Sequence, residues 1–168
     1  MGYVFLWRFI YKGIEKNMIG GESENANNLF FLCSLIEYIG RKTKNHRNVV
    51  VNSIGKDELQ HIFDLADIYH SENIDKLAFE FTEKHNIENG IFDNVAMAKY
   101  SIPTHWDIGK VYKRLIINIC KKENKPLIDV LLDVYNSWLS LKIEDFNSSV
   151  YYESPEYLFQ SFLAGETL

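Results

Sequence analysis

The sequence predicts an all-α fold in a single domain, a bundle of six to eight helices whose connectivity the pattern leaves open. Apolar residues recur at spacings of three and four along most of the chain, which is the period of one helical face. No stretch alternates apolar and polar residues with a turn between two partners, as paired strands would. A length of 168 residues fits one domain, and an aromatic content of 14% supplies a substantial core.

The first 27 residues are set apart from this pattern. The run Tyr3–Tyr11, YVFLWRFIY, is apolar except for Arg8 and is followed by a polar linker. It is shorter than the about 20 apolar residues that a membrane span needs, and it lacks the features of a signal peptide. Three interpretations stay open: a docked terminal helix, a partner-binding amphipathic segment, or an extension upstream of a natural start at Met18. We assign residues 1–27 to this segment and linker, and residues 28–168 to the helical domain.

Four helices are predicted in the first half of the domain, over residues 28–44, 47–54, 56–70 and 71–85. The second contains a Val-Val-Val run that could otherwise form a strand. Ser71 is a good N-cap for the fourth helix and leaves almost no loop before it. The third and fourth helices therefore look like a hairpin, and we expect them to pack against one another or to cross at a steep angle.

The second half begins with the one long irregular region, residues 86–103, which contains a predicted helical turn at 95–99. The clearest helix follows at 104–122, because Thr104 and Asp107 have the spacing of a capping box. Pro126 opens the next helix, whose inward-facing residues continue through Leu139. A last short helix starts at Ser154 and is closed by Gly165.

Charge is unevenly distributed along the chain, whose formal net charge is −5. Residues 56–103 carry four Lys/Arg against ten Asp/Glu, and such an acidic surface is a poor match for a phosphate backbone. A helix-turn-helix interpretation of 56–85 is disfavoured because the would-be recognition helix is acidic. A nucleic acid is therefore not the predicted partner. The basic residues near the end of the first helix could touch nucleic acid, but we interpret them as a solvated face or as a complement to the helix dipole: Arg41, Lys42, Lys44 and Arg47.

Signatures of catalysis or of a cofactor are missing from the sequence. It contains no nucleophile elbow, no phosphate-binding glycine loop and no zinc-ligand spacing, so we predict no catalytic residue, no cofactor and no metal. His61, Asp64 and Asp67 share a helix at spacings of three, but a metal site there would need matching carboxylates from facing helices. Cys33 and Cys120 lie in apolar runs and are predicted to be small buried hydrophobes, which favours a reducing, cytoplasmic location.

The strongest candidate site lies at the start of the 104–122 helix. Backbone N–H groups are free at a helix start and favour anions, so a small anion or a nucleotide could bind there. Trp, Tyr and Arg also dominate protein interfaces. The structural alternative is that Trp106 packs into the core, Asp107 caps the helix, and Lys110 and Arg114 are solvated. The candidate residues are Lys99, Tyr100, His105, Trp106, Asp107, Lys110 and Arg114.

Two further groups are candidates for contact with a partner. Clustered Tyr, Asn and Ser resemble the composition of a recognition surface, although they would also suit an ordered polar loop. An acidic face on the hairpin, consisting of Asp64, Asp67 and Asp75, would steer a basic partner towards the chain. The residues of the polar and aromatic group are Tyr135, Asn136, Trp138, Asn147, Tyr151 and Tyr152.

Three segments resemble a family of small all-helical bacterial proteins that are often encoded beside ADP-ribosyltransferase-like toxins. They are Asn28–Arg47, Phe92–Ile116 (FDNVAMAKYSIPTHWDIGKVYKRLI) and Val134–Phe162 (VYNSWLSLKIEDFNSSVYYESPEYLFQSF). The resemblance covers roughly residues 28–168 and transfers no catalytic residue. It implies a partner role, antitoxin-like or immunity-like.

The function predicted from the sequence is therefore that of a non-enzymatic protein-binding module, with a toxin as the implied partner. The alternative is a protein that binds a small ligand or nucleotide at the Thr104 helix start. A homo-oligomer is left open.

Overall fold

Every regular element in the computed structural model is a helix within residues 23–168, which are the residues that the structure describes. The all-α prediction is thus confirmed, while the predicted Tyr3–Tyr11 segment lies outside the described residues. Eight of the α-helices have seven residues or more, at the upper end of the predicted six to eight. The α-helices of residues 23–168 are α1 Glu24–Thr43, α2 Arg47–Ile54, α3 Lys56–Asp64, α4 Ala66–Tyr69, α5 Ile74–Lys84, α6 Asn94–Met97, α7 His105–Glu123, α8 Leu127–Tyr135, α9 Trp138–Glu144 and α10 Pro155–Ala164, with a 3-10 turn at Val150–Tyr152.

The two longest helices, α1 and α7, pack along each other at the centre of the domain. Their apolar stripes are fully buried, as Ile36 and Ile116 illustrate. Gly109 permits the close approach, since a Cβ atom there would lie 2.0 Å from Ser34 Oγ on α1. The helices α2 to α5 pack on α1, α10 packs on α7, and α8 packs on α2, α3 and α7. None of the helices in residues 23–168 is long and apolar enough to cross a membrane.

The predicted hairpin helices are shorter than expected, are separated by a break and a turn, and pack on α1 more than on each other. Leu65 interrupts the third predicted helix between α3 and α4. The N-cap of α5 is Asn73, whose side chain accepts from the backbone N–H groups of Asp75 and Lys76, the second and third residues of the helix. Ser71, the predicted cap, instead donates its hydroxyl to Ile68 O at 2.7 Å and closes α4. A side chain that bonds backwards cannot cap the helix ahead of it.

A second break divides the helix that was predicted to continue from Pro126 through Leu139. Asn136 Nδ2 donates to Leu132 O at 2.9 Å, and Ser137 Oγ donates to Val134 O at 2.6 Å. Side chains that bond the carbonyls of the preceding turn compete with the helix ladder. The helix therefore ends at Tyr135 and α9 begins at Trp138.

The first helix begins at Glu24, four residues before the predicted start, because Ser23 caps it. Two other end signals were predicted correctly. Thr104 and Asp107 form a complete capping box at the start of α7. Gly165 closes α10 with a left-handed backbone at φ 76°. Cys33 is buried as predicted, whereas Cys120 is only partly buried. Burial raises the pKa of each thiol to about 12, so neither thiol is activated as a nucleophile.

Candidate functional site

A buried ion network lies where the end of α1 meets the start of α2. Arg47 is fully buried and forms a two-point ion pair with Glu37, with Nε to Oε2 at 2.7 Å and Nη2 to Oε1 at 2.8 Å. Its Nη1 donates to Asn45 O at 2.8 Å, and its Nη2 also donates to Asn94 Oδ1 at 3.1 Å. A buried guanidinium is tolerated because its donors are paired.

Arg41 and Glu144 extend the network to other parts of the fold. Arg41 donates through Nε to Glu37 Oε1 and through Nη2 to Pro103 O, each at 2.8 Å. Glu144 Oε1 accepts from the backbone N–H of Arg47 at 2.9 Å and so caps α2 from the end of α9. We call Glu37, Arg41, Arg47, Asn94 and Glu144 the buried network.

The electrostatics of the network are set by two opposing effects on Glu37. Burial by itself would raise the pKa of this carboxyl, but the guanidinium groups of Arg47 and Arg41 together outweigh burial. The net pKa of Glu37 therefore lies below its ordinary value. Gly40 leaves the room for this arrangement, because a Cβ atom there would lie 2.6 Å from Arg47 Cδ.

The interpretation of the basic run as a solvated face was wrong for its two arginines. Arg47 is buried and Arg41 is half-buried, whereas the side chains of Lys42 and Lys44 are exposed. Sequence reasoning missed the network because its members lie far apart in the chain. One local signal was present: Glu37 lies inside an apolar helix, four residues before Arg41.

His46 and Glu144 form a carboxylate–imidazole pair, the arrangement in this region that most resembles an acid–base catalytic pair. His46 Nδ1 lies 2.6 Å from Glu144 Oε2, and its ring stacks on Phe92 with centroids 3.7 Å apart. A carboxylate can orient an imidazole in this way for base catalysis. Here the other carboxylate oxygen is occupied by the α2 cap and by Ser140 Oγ at 3.3 Å. The pair thus fixes the α1–α2 junction and α9 to each other.

The predicted anion site at the start of α7 is occupied by a side chain of the helix itself. Asp107 Oδ2 accepts from Thr104 N at 2.8 Å and from Thr104 Oγ1 at 2.7 Å. These hydrogen bonds lower the pKa of Asp107. An anionic ligand would therefore face a carboxylate at this helix end, while Lys110 and Arg114 are exposed farther along the helix.

Two members of the same group, His105 and Trp106, lie against α1. The His105 ring meets the Tyr38 ring edge-on with centroids 4.9 Å apart, and Trp106 lies 5.5 Å from Phe30. Trp106 is still 40% exposed, so it is not the core residue that the structural alternative supposed. Burial, together with the charge of Arg41, lowers the pKa of His105.

Two candidate groups that are far apart in sequence meet on one surface. Asn147 bridges the irregular segment after α6, with Nδ2 donating to Met97 O at 3.0 Å and Oδ1 accepting from Lys99 N at 2.8 Å. Tyr151 donates its hydroxyl to Ser101 O at 3.4 Å. We call the exposed side chains here the aromatic surface: Met97, Tyr100, Ile102 and Tyr152.

The other three members of the second group lie elsewhere. Tyr135 is buried and stacks on Tyr112 with centroids 4.2 Å apart. Asn136 pairs with Asn52 through Oδ1 at 2.8 Å, and Trp138 is half-buried. These residues stabilise α8 and its neighbours rather than contributing to the aromatic surface.

The acidic face is only partly available to a partner. Asp75 accepts from Tyr38 and is paired with Lys42 Nζ at 2.9 Å, and these partners lower the pKa of Asp75. Asp64 accepts from Gln60 Nε2 at 2.9 Å. Asp67 is exposed beside α1. Within residues 23–168, no cluster of His, Cys, Asp and Glu side chains is placed to hold a metal ion.

Comparison with known proteins supplies no relative from which a role could be transferred. A scan against models of protein families, a search of the curated proteins and a search of the solved structures each returned no match. The candidate sites therefore depend on their own geometry.

Proposed function

We propose that this chain is a protein-binding module and that the aromatic surface is its contact site. The observation that carries this proposal is that large apolar side chains remain exposed on two segments that hydrogen bonds join to each other. Tyr100 is 73% exposed, Tyr152 is 68% exposed and Met97 is 58% exposed. Tyrosine and methionine are enriched at protein interfaces, whereas they are normally drawn into the interior of a domain.

The backbone beneath this surface is held in place before any partner arrives. Asn147 binds both sides of Ala98, and Arg41 holds Pro103 O from the buried network. Holding the segment in one conformation reduces the entropy that would be lost on binding. This property distinguishes a preformed recognition surface from a solvated loop.

The partner that we propose is a toxin, which the chain would bind in the manner of an antitoxin or immunity protein. The support is the family resemblance of Phe92–Ile116 and Val134–Phe162, the two segments that supply the aromatic surface. Asp64, an exposed acid of the same domain, would add electrostatic steering for a basic partner. The free thiols of Cys33 and Cys120 suit a reducing compartment, so we propose the cytoplasm as the location.

The test is affinity capture with the tagged 168-residue chain from its native lysate, followed by identification and purification of any stoichiometric partner. The double variant Tyr100→Ala/Tyr152→Ala should weaken binding of that partner by about thirtyfold or more, as expected for interface hot spots. Phe79→Ala is the matched control, because Phe79 on α5 is also an exposed aromatic residue, at 66%. Equal affinity of the double variant and the wild type would refute the aromatic surface as the contact site.

A further inference from the structure

An apolar groove of about 810 Å³ opens beside the first turns of α1. Its walls are the rings of Phe30 and Phe31 from α1, Ala66 from α4 and Trp106 from α7. Acidic side chains, Glu24 and Asp67, are also among its lining residues. Large rings that line an open groove favour an occupant that brings aromatic and aliphatic side chains of its own.

The chain itself enters the described domain at this groove. Glu24, the first residue of α1, is one of the lining residues, and Ser23 caps the helix through a 3.3 Å bond from Ala26 N to its Oγ. The apolar run Tyr3–Tyr11 is joined to Ser23 by residues 12–22. At about 3.6 Å each, these 11 residues reach at most about 40 Å, which is long enough for the apolar run to fold back onto the groove. A tether of this length gives an effective concentration in the millimolar range.

The composition of the run matches the groove. Eight of the nine residues in YVFLWRFIY are apolar or aromatic, and the ninth is the cation Arg8. The apolar residues match the ring-lined walls, and Arg8 matches the negative charges of Glu24 and Asp67.

We propose that Tyr3–Tyr11 of this chain docks in the groove, with its aromatic side chains against Phe30 and Trp106 and with Arg8 facing Glu24 and Asp67. Of the three interpretations that the sequence leaves open, this one makes the run part of the domain. It also assigns Trp106 to a contact within the chain. The aromatic surface is separate and remains the proposed contact site for a partner.

The experiment is photo-crosslinking of the 168-residue chain with a benzophenone amino acid in place of Trp7, followed by peptide mass spectrometry at low protein concentration. The proposal expects crosslinks within one chain to peptides that contain residues 24–31, 66–70 or 106. Crosslinks between two chains would show that a second copy fills the groove and would overturn the proposal. Crosslinks to other regions, or none, would overturn it as well.

A charge exchange tests the predicted orientation without touching the core. Arg8→Glu should reduce the yield of the crosslink to residues 66–70 several-fold, and adding Asp67→Arg should restore it. Asp64→Arg is the matched control, because Asp64 is an exposed acid of α3 and is not among the residues lining the groove. Equal restoration by the control, or no loss with Arg8→Glu, would contradict the proposed contact of Arg8.

Discussion

The buried network and the acidic hairpin of α3–α5 use the same kinds of residue in opposite settings. Glu37 and Arg47 have side-chain exposures of 1% and 0%, whereas Asp75 and its partner Lys42 have 62% and 57%. Inside the domain, each charge loses its hydration and depends entirely on its partner. On the hairpin, water screens the attraction between the two charges. When one of them is removed, water solvates the charge that remains.

This difference separates the charges that stabilise the fold from the charges that a partner could contact. The buried network connects α1, α2, α6 and α9 and reaches the segment before α7 through Pro103. Its charged groups are therefore paired with other groups of the domain. The exposed acids of the hairpin hold few elements together. Of the two regions, only the hairpin can offer its charge to a partner.

The largest expected effect comes from removing the carboxylate of the buried Glu37–Arg47 pair, compared with the same change in the exposed Asp75–Lys42 pair. Glu37→Ala should lower the free energy of unfolding by about 3–5 kcal/mol, because it leaves the Arg47 guanidinium buried without its counter-charge. Asp75→Ala, the matched exposed variant, should leave that free energy nearly unchanged. Urea denaturation of both variants measures the difference. Similar losses in the free energy of unfolding would mean that burial does not make the Glu37–Arg47 pair more important to stability than the exposed pair.

A smaller effect is expected from filling the space that Gly40 leaves for Arg47. Gly40→Ala should lower the free energy of unfolding by about 1–3 kcal/mol, because the added Cβ would lie 2.6 Å from Arg47 Cδ. The higher helix propensity of alanine offsets only part of this loss. Ser53→Ala at an exposed position of α2 is the control. A stabilised Gly40→Ala variant would show that the guanidinium can move aside.

The smallest effect is the acid sensitivity that Glu37 gives to the buried network. The pKa of Glu37 is depressed in the folded state, so its ion pair contributes its full stability above the unfolded pKa of about 4.5. That contribution is lost as the pH falls through the lower, folded pKa. Urea midpoints between pH 6 and pH 3 should therefore fall less steeply for Glu37→Gln than for the wild type. Parallel curves would mean that Glu37 does not carry this acid sensitivity.

The candidate site shows how far prediction from the sequence reached. Lys99 and Tyr100 were placed in one candidate group and Asn147 and Tyr151 in another, and hydrogen bonds bring the two segments together in the structure. The two groups could not be joined in advance, because the hydrogen bond from Asn147 to Met97 spans 50 residues of sequence. Arg47 was misread for the same reason: its backbone N–H is bound by Glu144, 97 residues away.

By itself, the sequence determined the all-α class and the helix ends that depend on neighbouring residues. The Thr104–Asp107 box and the Gly165 cap are examples, because the groups that bond there lie within four positions of each other. Only the tertiary structure decided which charges are buried and which irregular segments meet. Burial and long-range pairing depend on the residues that the fold brings together, and the free energy of a charge depends on whether water or a partner surrounds it.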